Sequence, residues 1–103
     1  MNVFELMKQA KDMQGKMSQL QEALGSQSVE GTSGGGMVRV TCTGKMDILS
    51  VTIDKATVDP EDVGMLEDLV KAAVNDALHQ AKNLAAQEMS SLTGGLNIAG
   101  LFS

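Results

Sequence analysis

From residue 3 to residue 24, apolar side chains return at alternating steps of three and four: Val3, Leu6, Ala10, Met13, Met17, Leu20 and Leu24. That spacing puts them on one face of a helix and makes a seam of coiled-coil type over about three heptads. Two of the seam residues are Met and one is Ala, which pack softly and specify a partner poorly. Gly25 follows directly and is expected to stop the helix. The period then changes. In Met37-Val38-Arg39-Val40-Thr41-Cys42-Thr43, residues 38, 40 and 42 face one way and 39, 41 and 43 the other, which is the alternation of a strand. Ile48 to Ile53 alternates again, with Leu49, Val51 and Ile53 expected on one face. The "TGKMD" between them suits a short hairpin loop, and "SVEGT" ahead of the glycines suits a further short strand.

A second helical period follows. In "VDPEDVG", Asp59 is the expected N-cap, Pro60 the first helical residue, and Glu61 and Asp62 fill the first turn. Gly64 is expected to interrupt or kink that turn, with a long helix running from Met65 to about Ser91. Leu66, Val70, Ala73, Ala77, Ala81 and Leu84 form its apolar stripe, and Leu69, Val74, Leu78 and Ala85 widen it. The pattern predicts a single α+β domain. A helical arm over 1–25 is followed by a three-stranded antiparallel β-meander over 28–54, a long helix over 59–91 and a Gly-rich tail over 92–103. The tail is expected to be mobile or to dock only on a partner.

Composition alters this picture in one respect. The chain of 103 residues has only two Phe and no Tyr or Trp, so the core must be built from Val, Leu, Ala and Met and is thin. At this length only about two-thirds of the unfolded surface is buried, and an oligomer is expected. The net charge of −5 is concentrated: Asp54, Asp59, Glu61, Asp62, Glu67 and Asp68 stand against Lys55 alone between 54 and 68, and the remainder of the chain is balanced. A local basic surface is therefore compatible with bulk acidity. The single cysteine, Cys42, rules out an intrachain disulfide and suits a reducing compartment. "MNVFELMKQAK" has no apolar signal-peptide region, and no apolar run nears the roughly 18 residues of a membrane span. A soluble cytoplasmic protein is expected.

The glycines of "GTSGGGMVRV" invite a phosphate-loop reading. A Walker loop needs Gly-Lys-Ser/Thr between a strand and a helix. Here a strand follows and no helix N-terminus is available to receive phosphate, so a hairpin turn is expected. Catalysis finds little support. Cys42 lies within a strand on the Val38–Val40 face, a setting for an inert buried thiol. His79, the one histidine, has no companion ligands at metal-binding spacing. Glu67 and Asp68 are adjacent on a helix and point apart. No catalytic, cofactor or metal site is expected.

Basic residues carry the remaining signal. On the first helix, Lys8, Lys11 and Lys16 are expected opposite the seam, interleaved with Glu5, Asp12 and Glu22; Asp12 stands four residues from both Lys8 and Lys16. On the second, Lys71, Asn75, His79 and Lys82 recur at four, four and three, a polar stripe of phosphate-capable donors headed by Asp68. Neither helix carries Arg, and no aromatic is placed for base stacking, which disfavours RNA reading, single-strand binding and rich base readout.

The stretch "SGGGMVRVTCTGKMDILSVTID" with "MLEDLVKAAVNDALHQAKNLAAQEMSSLTGGL", and "ELMKQAKDMQGKM" in the first helix, closely resembles the YbaB/EbfC family of nucleoid-associated proteins. The resemblance covers about nine-tenths of the chain, and the GGGMVRV, MLEDLV, AAVNDAL and LTGGL blocks occur in order. It implies a small bacterial cytoplasmic homodimer of α-β-α layers, tweezer-like, with helices as arms. It also implies binding to double-stranded DNA with relaxed sequence preference, effects on nucleoid organisation and gene expression, and no catalysis. The matching basic positions are Lys8, Lys11, Lys16, Lys71 and Lys82. The chain departs from the family at His79 and Gln80, where relatives commonly carry basic residues, at "TIDK" and at "LNIAGLF". The reading is a homodimer binding duplex DNA mainly through phosphate contacts. The alternative is a helical protein-interaction or chaperone-like dimer with no DNA role.

Overall fold

A computed structural model describes residues 2–92 of the chain. The order is α1 (Val3–Ser26), β1 (Ser28–Ser33), β2 (Val38–Thr43), β3 (Ile48–Ile53) and α2 (Val63–Leu92), with short 3-10 turns at Gly34–Gly36 and Lys55–Thr57. The α+β order of helix, three-stranded antiparallel sheet and long helix is as the pattern predicts, and the sheet runs β1-β2-β3. The tail expected over 92–103 lies outside the described residues apart from Leu92.

The helix ends differ from expectation. Gly25 does not stop α1; the helix runs one residue further, and Gln27 leaves it in an extended conformation. Asp59 and Pro60 do not begin α2. Asp59 instead closes a turn, its Oδ1 accepting the Glu61 N–H at 3.0 Å and its carbonyl the Asp62 N–H at 3.0 Å. Asp62 caps α2, accepting the Met65 N–H at 3.2 Å, and α2 passes through Gly64 without interruption. The capping chemistry was legible, but two Asp residues compete for it and the turn takes the first.

The core is one sheet face against α2. Val38, Val40 and Cys42 are wholly buried against Ala73, Ala77 and Ala81, with Val29, Ile53, Leu66, Leu69, Val70 and Val74 around them. Alanines let the helix come close, and Gly31 on β1 lets it come closer still. A Cβ there would sit on the Ala73 carbonyl and the Ala77 nitrogen, and 2.6 Å from the Ala77 Cα. Polar groups lock the contact: Asp76 accepts the Thr32 N–H at 2.9 Å, and the Ser33 hydroxyl donates to the Leu69 carbonyl at 2.6 Å.

The glycine turn of 34–36 has positive φ at all three residues, 59°, 69° and 96°, as a sharp strand-to-strand turn requires. In the second hairpin the positive φ falls on Met46, not on Gly44. Gly44 serves contact instead. Its N–H donates to the carbonyls of Leu24 at 2.9 Å and Gln27 at 3.1 Å, and a Cβ would meet the Leu24 backbone oxygen at 2.9 Å. The α1 C-terminus is thereby fixed to the sheet.

β3 departs from simple alternation. Thr41 pairs with Ser50 but Cys42 with Ile48, so Leu49 is the extra residue of a bulge. Val51 and Ile53 stand opposite Val40 and Val38 and share the core face. Yet α2 lies over β1 and β2, and Ile48, Leu49 and Val51 remain 45%, 59% and 47% exposed.

The seam of α1 is buried only at Leu20 and Leu24. α1 meets the end of α2 antiparallel: Gln27 Nε2 donates to Glu88 Oε1 at 3.1 Å, and Gln19, Leu20 and Ala23 border Glu88 and Ser91. Residues before Gln19 overhang the body. This gives extents of 69 × 29 × 17 Å and a radius of gyration of 19.4 Å, against about 13 Å for a compact chain of this length.

Two glycines should respond oppositely to substitution. Gly31→Val drives a side chain into the α2 backbone and is expected to cost about 3 kcal/mol or more. Gly15→Ala, in α1 with nothing within 4 Å, should gain about 0.5–1 kcal/mol. Urea denaturation followed by circular dichroism checks both.

Candidate nucleic-acid interface

The α2 stripe is set by the core behind it. With Ala73, Ala77 and Ala81 against the sheet, a helix of 3.6 residues per turn carries Lys71, Asn75, His79 and Lys82 to the side turned from it. All four are exposed, and so is Asp68 at the head of the stripe. The stripe spans roughly 16 Å at 1.5 Å per residue. Because the first half of α2 is held between Leu69 and Ala77 by Gly31 and by the Asp76 and Ser33 hydrogen bonds, and Ala81 packs on the same core, these side chains project from a fixed backbone.

Lys8, Lys11 and Lys16 are exposed on the α1 overhang. Lys8 and Lys11 lie on the side away from the seam. Lys16 borders it, sharing a shallow surface dip with Gln9, Asp12 and Met13. The structure does not join the two lysine sets into one cluster. The α1 set stands beyond the end of α2, so the lysines are distributed over roughly 45 Å of the long axis. The acids of 54–68 lie towards the opposite end, before and within the first turns of α2. The 54–68 segment is thus the acidic end, as its composition implies, while the α1 overhang carries Lys8, Lys11 and Lys16 against Glu5, Asp12 and Glu22.

One residue escapes the sequence reading. Phe4, 82% exposed, lines a shallow depression with Met7, Lys8 and Lys11. An aromatic is therefore placed among the α1 lysines. The signal was present: Phe4 is an apolar residue one position off the seam, four and seven residues before the two lysines.

No catalytic pair forms between Cys42 and His79. His79 is exposed on the outer side of α2. Cys42 is wholly buried beneath the same helix, its Sγ donating to the Ala77 carbonyl at 3.4 Å. Burial removes water from the thiolate and raises the thiol pKa above its ordinary value. Among the described residues, no group of three or more His, Cys, Asp or Glu converges on a possible metal position, and no helix is long and apolar enough to cross a membrane.

The chain is a short α+β unit with one overhanging helix, α1, one helix seated on the sheet, α2, and exposed lysines on both. The model of the YbaB/EbfC DNA-binding family matches residues 1–96, and the chain belongs to that family. A nucleoid-associated protein of Desulforamulus reducens is 54% identical over 101 residues, 98% of this chain and 96% of the relative. One of Syntrophobacter fumaroxidans is 51% identical over 98 residues, 95% of this chain and 89% of the relative. The crystal structure of an uncharacterised protein, HP0035 from Helicobacter pylori, superposes with a TM-score of 0.79 at 24% identity, covering 91% of this chain and 99% of that one. The family and these names point to nucleoid-associated DNA binding and not to an enzyme.

The buried thiol has a measurable consequence. Iodoacetamide at pH 8 should leave Cys42 unmodified in the native protein and alkylate it in urea. Rapid labelling without denaturant, read by mass spectrometry, would contradict the packing of β2 under α2.

Proposed function

We propose that the protein binds double-stranded DNA as a homodimer in the nucleoid, mainly through lysine–phosphate contacts and with little base readout. The observation that carries this is the exposed stripe Lys71–Asn75–His79–Lys82 on a rigidly seated helix, in a chain belonging to a DNA-binding family. Lys8, Lys11 and Lys16 extend the stripe's reach along the duplex. Phosphate contacts position a protein but carry no direct sequence information, and neither helix has the Arg that dominates base readout. The acidic end of α2 repels the duplex, so the DNA track runs from mid-α2 towards the α1 overhang. Its roughly 45 Å equals about 13 base pairs at 3.4 Å each.

Two observations support the homodimer. β3 is an edge strand paired on one side only, with Ile48, Leu49 and Val51 half-exposed on it. Open apolar edges are pairing surfaces. The thin core also calls for further burial. A second copy meeting β3 supplies it, and places two sets of arms about a common sheet in a tweezer-like arrangement.

Affinity for a random-sequence duplex should fall linearly with salt on logarithmic axes. Lys71→Glu with Lys82→Glu removes four phosphate contacts from a dimer, which reduces the slope by about 3 to 4. Gel shifts across a salt series measure it. No shift at tens of micromolar protein and low salt would overturn the DNA reading.

A second set of substitutions tests the dimer. Leu49→Lys with Val51→Lys should leave a folded single chain of 10.8 kDa in light scattering, where the wild type has twice that mass.

The apolar residues Val3, Leu6, Met13 and Met17, all exposed on α1, favour the second reading, a helical protein-interaction module. It prevails where the lysine variants keep a protein partner and the wild type never binds DNA.

A further inference from the structure

The apolar seam of α1 accounts for Val3, Leu6, Met13 and Met17, but not for Phe4. On the helix Phe4 points with Lys8 and Lys11, the side that faces away from the seam. Lys8 follows it by one turn and Lys11 by two, about 6 and 10 Å along the axis. Its ring is 82% exposed in the shallow depression it shares with Met7, Lys8 and Lys11. The turn that carries it is well formed. Asn2 caps the helix, Oδ1 accepting the Glu5 N–H at 2.9 Å, and the Leu6 N–H donates to the Asn2 carbonyl at 3.3 Å. The whole segment overhangs the body, so nothing among the described residues bars it from a groove.

With Met7 and the two lysines, the ring makes an apolar tip flanked by positive charge. The partner here is identified by charge: two lysines on the same side call for an anionic surface whose interior is apolar and stackable. A duplex has phosphates at the groove edge and base pairs between them. Apolar wedges flanked by cations insert between base steps, unstack them and kink the duplex by about 20–90°. We propose that Phe4 is such a wedge, entering the base stack while Lys8 and Lys11 hold the adjacent phosphates, so that the protein bends DNA as well as coating it. Met7, 55% exposed beside it, widens the apolar tip. This proposal rests on the DNA-binding reading, and its consequence is that the preferred sequences are those that unstack easily, such as TA and CA/TG steps.

Fluorescence energy transfer between dyes on the ends of a duplex of about 30 base pairs tests it, with affinity and salt slope measured on the same samples. Saturating wild-type protein should shorten the end-to-end distance. Phe4→Ala should abolish the shortening and weaken binding on the order of ten-fold, with the salt slope unchanged. Phe4→Leu, which keeps an apolar wedge, should restore most of the bend. Lys8→Ala with Lys11→Ala should lower the slope. Wild-type binding with a lysine-dependent slope but no bend overturns the wedge and leaves the DNA reading standing. An equal bend from wild type and Phe4→Ala also overturns it. A change of oligomer mass in Phe4→Ala assigns the ring to a contact between chains and overturns it as well. Absence of any binding by the wild type sinks the DNA reading itself.

Discussion

The close approach of α2 to the sheet is the constraint on which the rest depends. Three alanines on the helix and one glycine on β1 bring backbone almost onto backbone, at a point where any side chain would collide. Such contact leaves α2 one rotation about its axis. The Asp76 and Ser33 hydrogen bonds fix its translation. With rotation and translation both set, the outer side of α2 is also set, and Lys71, Asn75, His79 and Lys82 face away from the core because there is no other place for them. The exposed polar stripe is the reverse side of the packing solution.

The same economy leaves apolar surface open on the chain. Small residues make a tight core but a narrow one, and α2 is too slim to cover three strands. β3 is left with half-exposed Ile48, Leu49 and Val51, and the bulge at Leu49 turns yet more apolar surface outward. α1 is fastened only by its last turns, at Leu20, Leu24 and the Gly44 contacts. The chain thus has a rigid centre, one open edge and one free arm. These are the features by which a small protein can engage a long, regular ligand.

Much of this was legible in the sequence because periodicity encodes it. The helix and strand periods identify all five main elements, the meander order and the buried set Val38, Val40, Cys42, Ala73, Ala77 and Ala81. The Lys71–Lys82 stripe follows from the same period, since whatever lies opposite a buried stripe is exposed. Helix ends were less legible. Asp59 lost the cap to Asp62 one turn on, which leaves Gly64 inside the first turn of α2, and α1 continues one residue past Gly25. The bulge in β3 was invisible, because an extra residue in a strand changes pairing without changing composition. Phe4 was passed over because one aromatic near a chain end has no period of its own; only the exposure of its ring beside Lys8 and Lys11 sets it apart.

The sequence by itself determined which faces are apolar, where the charges lie along the chain, and the family to which it belongs. These are local or linear properties, and short-range periodicity carries them. Only the tertiary structure decided that Gly31 and Gly44 are contact points, that β3 stays open, and that most of the α1 seam hangs clear of the body. It also decided that the acidic 54–68 segment and the α1 overhang lie towards opposite ends of a long molecule. Each of these depends on how far one element can approach another, and that distance is fixed by backbone sterics between residues remote in the chain.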